Sequence, residues 1–227
     1  INNAIIQQDS DKVIIIGIHG PQGIGKTTLN KYLKSKLDQL GHNVLSLSID
    51  DFYLPQTEMN VFLSNQNSSI YKYRGLSGTH DVDLLYNTLV KLKNYEKCEI
   101  PIFDKNVNYG LGDRVGFKNI INKPNIILLE GWMLGYTFKI NLSNKDLSLF
   151  NKYLVQYESI QNLINKMIYL EALDNGCIIP WRWSAESKDG MDYDKFLEFM
   201  NPYMLIYNEY EIVSDTKIIL DKNRNIC

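Results

Sequence analysis

The chain has 227 residues, with 24 basic and 26 acidic side chains and a formal net charge of −2. This charge gives no electrostatic support for binding to nucleic acid or to a membrane surface, and no apolar stretch approaches the length of a membrane span. The three cysteines lack metal-site spacing, so we expect free thiols in a reducing, cytoplasmic environment.

The first predicted elements are a strand, a glycine-rich turn and a helix. Residues 12–18, "KVIIIGI", form a short β-branched run that is typical of a buried strand. The turn "HGPQGIGKTT" follows, and the helix after it ends at Gly41. The apolar face of this helix consists of Leu29, Leu33, Leu37 and Leu40. A second strand is predicted over residues 43–49, and a short helix over residues 57–65.

The middle of the chain continues this alternation. A helix is predicted over residues 80–94, capped near Thr79 or Asp81. A short strand over residues 99–105 and a glycine-rich loop, "NYGLGDRVG", come next. The stretch "NIILLEGW" predicts a third buried strand, and residues 144–165 are predicted to be helical.

The last part of the chain adds two more strands, "KMIYLEA" and "TKIILD". Between them, "PWRWSAESKDG" predicts a helix from Pro180 to Gly190, and an amphipathic helix with a break at Pro202 follows. Strands alternate with helices throughout, which predicts an α/β fold with a parallel sheet covered by helices on both faces. No linker or repeat divides the sequence, so we interpret residues 1–227 as one domain.

The turn after the first strand matches G-x-x-x-x-G-K-[ST], the pattern of a phosphate-binding loop between a strand and a helix. Its glycines let backbone N–H groups face a polyphosphate, and the helix N-terminus adds partial positive charge. Lys26 is predicted to reach the β- and γ-phosphates of ATP, and the Thr27 hydroxyl to ligate Mg²⁺. The predicted nucleotide-binding residues are Gly20, Gly23, Gly25, Lys26, Thr27 and Thr28.

Acidic residues end two of the predicted strands. Glu130 closes "NIILLE" and is expected to reach the Mg²⁺ shell directly or through water. Asp50 and Asp51 follow "LSI", and a carboxylate at this place can take the proton of an acceptor hydroxyl. Because adjacent strand residues point to opposite sides, we expect only one of the two to face the cleft. A solvated Glu and a helix-capping Asp are the structural alternatives.

Arginine is scarce in this chain, because 20 of the 24 basic residues are Lys. We therefore expect arginine where a planar, forked hydrogen-bond donor is needed. The four positions are Arg74, Arg114, Arg182 and Arg224.

The motifs "SIDDFYLP", "YRGLSGTHD", "PIFDKN", "GLGDR", "LLEGWMLGY" and "WRWSAE" occur in this order, and the chain resembles the D-glycerate 3-kinase family. That family belongs to the P-loop kinases, near uridine kinase, pantothenate kinase and phosphoribulokinase. The resemblance implies a P-loop NTPase fold with a five-stranded parallel sheet of order 2-3-1-4-5, and the use of ATP and Mg²⁺. In the relatives the Asp of a D-x-F pattern is the base, which corresponds to Asp50, with Asp51 as the weaker candidate.

The resemblance also implies D-glycerate as the small-molecule acceptor and a lid around residues 178–192. The stretch between Glu186 and Met191 is shorter than the lid of that family. The predicted catalytic residues are Lys26, Asp50 and Arg182, the last as a charge stabiliser over the phosphates. The predicted acceptor-binding residues are Asp51, Tyr53, Arg74, His80 and Arg114, with Thr27 and Glu130 at the metal.

Two other functions remain open from the sequence. One is a nucleotide-binding protein with a regulatory or assembly role, which kept the phosphate loop without productive catalysis. The other is the same chemistry on a different alcohol, such as a nucleoside or pantothenate. The joint presence of Lys26, Asp50 and Glu130 favours an active kinase over the first alternative.

Overall fold

The computed structural model describes residues 12–186 and 192–227, and its centre is a five-stranded parallel sheet. Its strands, in chain order, are β1 (Ile14–His19), β2 (Val44–Ser48), β5 (Ile126–Glu130), β6 (Lys166–Ala172) and β7 (Thr216–Leu220). Across the sheet they follow the order β2-β5-β1-β6-β7, which is 2-3-1-4-5 when only the strands of this sheet are numbered. The strand numbers in the chain differ from this order because two more strands, β3 (Glu99–Asp104) and β4 (Asp113–Asn119), lie in a separate two-stranded sheet.

Helices surround the sheet and bury both of its faces, which confirms the predicted α/β fold. They are α1 (Lys26–Gln39), α2 (Gln56–Ser64), α3 (Val82–Lys93), α4 (Ser148–Leu154), α5 (Glu158–Gln161), α6 (Ile178–Glu186) and α7 (Tyr193–Glu209). Alternate residues of β1 belong to two different hydrophobic clusters: Ile16 packs in the cluster that contains Leu37 of α1, and Ile15 packs in the larger cluster on the other face. Such two-sided burial is what a continuous apolar strand predicts.

The predicted loop "NYGLGDRVG" is partly wrong, because its second half begins a strand. β4 (Asp113–Asn119) pairs antiparallel with β3 (Glu99–Asp104), and the turn between them contains Asn108 and Tyr109 at positive φ. The turn also contains Gly110 and Gly112 at φ values of 85° and 73°, a region that glycine adopts without steric cost. The hairpin was missed because β4 buries little apolar surface and shows no clear alternation.

Four helix predictions also need correction. Residues 145–161 form short 3-10 and α-helical segments rather than one helix over 144–165. α6 begins at Ile178, two residues before the predicted start at Pro180. Residues 187–191 lie outside the described residues, and they include the predicted helix end at Gly190 and the middle of the predicted lid. Pro202 lies inside α7 without ending it. Leu40 was expected on the buried face of α1, yet it is 65% exposed because it lies beyond the helix end.

The other predicted helices have the expected form. α3 is capped by Asp81, whose Oδ1 accepts a hydrogen bond from Leu84 N at 3.0 Å. Within the ranges 12–186 and 192–227, no helix is long and apolar enough to cross a bilayer.

Candidate active site

The register of the parallel sheet brings three strand ends together. Glu130, the last residue of β5, pairs with Ile18 of β1 on one side and with Ser48 of β2 on the other. The phosphate loop therefore leaves β1, and the two aspartates leave β2, on either side of Glu130. Ligands of open α/β sheets bind at this carboxyl edge.

The phosphate loop has the backbone shape that binding to an anion requires. Gly23 and Gly25 have φ values of 79° and 115°, in the region that favours glycine. A Cβ atom added at Gly25 would meet nothing within 4 Å, so open space lies beside the start of α1. Gly20 is different: it does not line the cavity, and an added Cβ would lie 2.9 Å from the Leu170 carbonyl oxygen. Its role is close packing of the loop on β6.

Lys26 folds back over the loop. Its Nζ donates hydrogen bonds to the carbonyl oxygens of Gly20 at 2.8 Å and Pro21 at 3.0 Å. Burial lowers the pKa of Lys26 to about 8, although the nearby carboxylates of Asp50 and Glu130 act in the opposite direction. The ammonium group is thus poorly compensated, and a polyphosphate in the loop would supply the missing negative charge.

Thr27 and Glu130, the two predicted metal ligands, are in direct contact. The Thr27 hydroxyl donates to Glu130 Oε1 at 2.9 Å, while Glu130 Oε2 is buried without a hydrogen-bond partner among the described atoms. Burial raises the pKa of Glu130 even though the Thr27 hydrogen bond lowers it. A buried carboxylate oxygen without a partner fits a bound cation, and hydroxyl and carboxylate oxygens are the donors that Mg²⁺ prefers.

Only Asp50 of the aspartate pair lines the cavity, but not for the reason expected from strand alternation. β2 ends at Ser48, and residues Ile49–Phe52 form a 3-10 turn whose N-cap, Ser48, accepts a hydrogen bond from Asp50 N at 3.2 Å. Asp51 is not among the residues that line the cavity, and burial raises its pKa. Of the two aspartates, Asp50 alone is therefore placed to reach an acceptor in the cavity.

Asp50 is the partner of Lys105, which follows the end of β3. Lys105 Nζ lies 2.6 Å from Asp50 Oδ2. Burial raises the pKa of Asp50, but the charge and the hydrogen bond of Lys105, with smaller effects from His80 and Lys26, outweigh it, so that the net pKa is lowered. Asp50 is therefore ionised at neutral pH.

A cavity of about 1030 Å³ joins these groups at the carboxyl edge. Of the predicted residues, its wall contains Gly23, Gly25, Lys26, Thr27, Thr28, Asp50, Tyr53, Arg74, Glu130 and Arg182. The phosphate loop forms one side, and Tyr53, Arg74 and Lys105 lie on the side of the hairpin. The cavity is large enough for a nucleotide and a small acceptor together.

His80 and Arg114 were predicted to bind the acceptor, and the structure puts both behind the cavity wall. His80 is 3% exposed, stacks on Tyr53 at 4.4 Å and shares a 2.7 Å hydrogen bond with Tyr157 Oη. Burial lowers the pKa of His80 to about 4, so its ring is neutral. Arg114 donates to the Tyr53 carbonyl oxygen at 3.0 Å and to Asp81 at 3.1 Å. Neither residue lines the cavity, and both contact Tyr53, which does.

Arg74 lines the cavity, but part of its guanidinium is already engaged. Its Nη1 donates to the carbonyl oxygens of Gly110, at 2.9 Å, and of Leu111. The guanidinium also lies 5.6 Å from the centre of the Phe103 ring. Arg74 thus holds the tip of the hairpin against the cavity.

Two residues that the sequence did not assign to the site hold the phosphate loop from outside. Arg224 donates from Nε and Nη2 to the Gly23 carbonyl oxygen, at 3.1 and 2.9 Å, and lies 5.2 Å from the Trp181 ring. The backbone of Trp181 and Arg182 in α6 approaches the same glycine, since an added Cβ at Gly23 would lie 3.1 Å from both. The scarcity of arginine indicated that Arg224 acts as a forked hydrogen-bond donor, whereas nothing in the sequence indicated a role for Trp181.

Trp132 is another residue of the cavity wall that the sequence did not single out. It follows Glu130 by two positions, is 3% exposed, and has an Nε1 without a hydrogen-bond partner among the described atoms. Tyr203 of α7 packs against it at 4.9 Å and also lines the cavity. The motif "LLEGWMLGY" could have indicated this position, because a tryptophan two residues after a strand end can reach the carboxyl edge of the sheet.

One family model and several known proteins are similar to this chain. The model of the phosphoribulokinase / uridine kinase family matches residues 15–222. An uncharacterised kinase, mug58, from Schizosaccharomyces pombe is 34% identical over 92% of this chain and 88% of its own length. The chloroplastic D-glycerate 3-kinase of Arabidopsis thaliana is 29% identical over 89% of this chain, which spans 49% of that protein.

A solved structure has the same fold. The D-glycerate 3-kinase from Cryptococcus neoformans superposes with a TM-score of 0.84 at 24% identity, covering 99% of this chain and 92% of that one. The resemblance to D-glycerate 3-kinases noted from the motifs is thereby confirmed.

Proposed function

Because the chain belongs to the phosphoribulokinase / uridine kinase family, we propose that it is an active kinase that uses ATP and Mg²⁺ to phosphorylate a small alcohol, namely D-glycerate. The observation that carries the proposal is one cavity lined by Lys26, Asp50 and Glu130. These are a phosphate ligand, a candidate base and a candidate metal ligand, the three parts that phosphoryl transfer to an alcohol needs.

ATP binds to the phosphate loop and the residues next to it. Backbone N–H groups from Gly23 to Thr28 and the start of α1 bind the phosphates, and Lys26 moves from the loop carbonyls to the phosphate oxygens. Thr27 and Glu130 would hold Mg²⁺, which would supply positive charge to neutralise the phosphates. Among the described residues, no group of three or more His, Cys, Asp or Glu could hold a metal alone, so phosphate and water would supply its remaining ligands.

Asp50 acts on the acceptor. Its carboxylate accepts the proton of the acceptor hydroxyl while the hydroxyl oxygen attacks the γ-phosphorus. The bond from the γ-phosphorus to the bridging oxygen breaks, and ADP leaves. The net reaction converts ATP and D-glycerate into ADP, 3-phosphoglycerate and one proton. Arg182, which lines the cavity, stabilises the negative charge of the transferring group.

D-glycerate is favoured as the acceptor by two observations. Two relatives that match most of this chain carry the name D-glycerate 3-kinase. The hairpin side of the cavity also presents two cations, Arg74 and Lys105, where a carboxylate-bearing alcohol would bind. A nucleoside or a neutral alcohol has no carboxylate to offer to these two cations.

An acceptor panel tests the proposal. ADP release is measured with D-glycerate, glycerol, uridine and pantothenate at millimolar Mg-ATP, and the phosphorylated product is identified. We expect turnover with D-glycerate well above the rate of ATP hydrolysis without acceptor. Binding of Mg-ATP without stimulation by any of the four alcohols would favour the regulatory alternative, and preference for uridine or pantothenate would reassign the acceptor.

A further inference from the structure

An ion pair occupies the acceptor side of the cavity. Lys105 Nζ and Asp50 Oδ2 lie 2.6 Å apart, and their side chains are 54% and 27% exposed. The two residues are 55 positions apart in the chain, and the hairpin brings Lys105 across to the end of β2. One oxygen of the proposed base is therefore covered by a cation from the opposite wall.

This contact opposes the role of Asp50 as a base. A carboxylate that holds an ammonium group has a lower affinity for the proton of a hydroxyl, because proton transfer follows basicity. The pair also occupies Oδ2, an oxygen that an incoming hydroxyl could use. A ligand that attracts Lys105 away from Asp50 would restore both the basicity and the free oxygen.

Lys105 is better placed to move than the other cation on this side. Arg74 donates to two carbonyl oxygens at the hairpin tip, so its displacement would leave backbone acceptors without a donor. Within the described part of the chain, the side chain of Lys105 donates only to Asp50. Its ammonium group is half exposed on a flexible stem, so it can exchange partners without disturbing the hairpin.

We propose that Lys105 binds the anionic group of the acceptor, and that its ion pair with Asp50 is the state of the site before the acceptor arrives. The inference rests on the proposed function. A carboxylate-bearing alcohol offers Lys105 a new partner and leaves Asp50 to accept the hydroxyl proton. The exchange costs little because the Lys105 side of the pair is half exposed to solvent, which weakens an ion pair. A neutral alcohol offers no such partner, so Asp50 stays paired and the acceptor is used poorly.

The test is the selectivity ratio, defined as kcat/KM for D-glycerate divided by kcat/KM for glycerol. In Lys105→Gln we expect this ratio to fall roughly 10- to 100-fold, the effect of one charge-assisted hydrogen bond, because the KM for D-glycerate rises and glycerol meets an Asp50 that is no longer paired. Lys105→Arg keeps the cation and should keep most of the ratio. Lys72→Gln is the matched control, because Lys72 also lines the cavity but pairs with Glu198 at 3.9 Å.

The outcomes separate the inference from the proposed function. The Mg-ATP-induced shift in Tm verifies that each variant is folded and binds nucleotide. If wild type prefers D-glycerate and Lys105→Gln leaves the ratio unchanged, only the inference is overturned. The same holds if Lys72→Gln lowers the ratio equally, since the effect would then be general cavity charge. If wild type prefers no carboxylate-bearing alcohol, both proposals fail.

Discussion

Replacement of Asp50 by Asn tests whether the Asp50 carboxylate is the catalytic base. The change preserves side-chain size and the hydrogen bond from Asp50 N to Ser48 Oγ, so the 3-10 turn should keep its shape. It removes the negative charge and the proton acceptor next to Lys105. General base catalysis contributes roughly 10²- to 10⁴-fold, so kcat should fall by that factor, equivalent to about 2.7–5.4 kcal/mol at about 1.36 kcal/mol per factor of ten.

Asp51→Asn is the matched control, because it makes the same chemical change one residue away from the cavity wall. We expect its effect on kcat to be roughly threefold or less, typical of a residue that does not contact the substrate. Both variants should bind Mg-ATP with nearly wild-type affinity, measured by titration calorimetry. Equal, small losses of kcat in the two variants would refute the assignment of Asp50 as the base and return the pair to a turn-capping role.

Three further predictions concern the phosphate loop. Lys26→Ala should lose most phosphate transfer while the protein stays folded, because the loop loses only the two hydrogen bonds from Lys26 Nζ to Gly20 and Pro21; steady-state turnover and the Tm without ligand verify this. Since burial lowers the pKa of Lys26 to about 8 and bound phosphates raise it, Mg-ATP binding should take up protons near pH 8 and weaken as the pH rises above that value. Calorimetry in buffers of different ionisation enthalpy measures the uptake, and wild type with no uptake at pH 8 would contradict the account. Arg224→Lys loses the two parallel donors to the Gly23 carbonyl oxygen and should weaken Mg-ATP binding by roughly threefold to tenfold, whereas Lys222→Gln on the same turn should not.

Features that depend on short stretches of sequence could be predicted. β1 and the phosphate loop follow from a buried β-branched run and a fixed spacing of glycines, both within residues 12–28. Glu130 could also be located at a strand end, because strand polarity and the parallel sheet put such ends at one edge. The sequence did not decide which of Asp50 and Asp51 faces the cavity. Both residues lie in a 3-10 turn, where the side-chain alternation of a strand does not apply.

Features that depend on distant contacts could not be predicted. Lys105 meets Asp50 only because β3 and β4 form a hairpin, and β4 gives a weak signal since it packs little apolar surface. Arg224 reaches Gly23 across 201 positions of sequence. The scarcity of arginine indicated that Arg74 and Arg114 act as hydrogen-bond donors, but not that each of them donates to a backbone carbonyl oxygen.

The measurement that tests the central claim most directly is the selectivity ratio of the wild-type protein, from ATP turnover with D-glycerate and with glycerol under identical conditions. The two alcohols share a primary hydroxyl and differ in the carboxylate that the cationic side of the cavity would bind. We predict that kcat/KM for D-glycerate exceeds that for glycerol by roughly 10-fold or more, the effect of one charge-assisted hydrogen bond. Equal use of the two alcohols would contradict the account, because the carboxylate would then not be recognised.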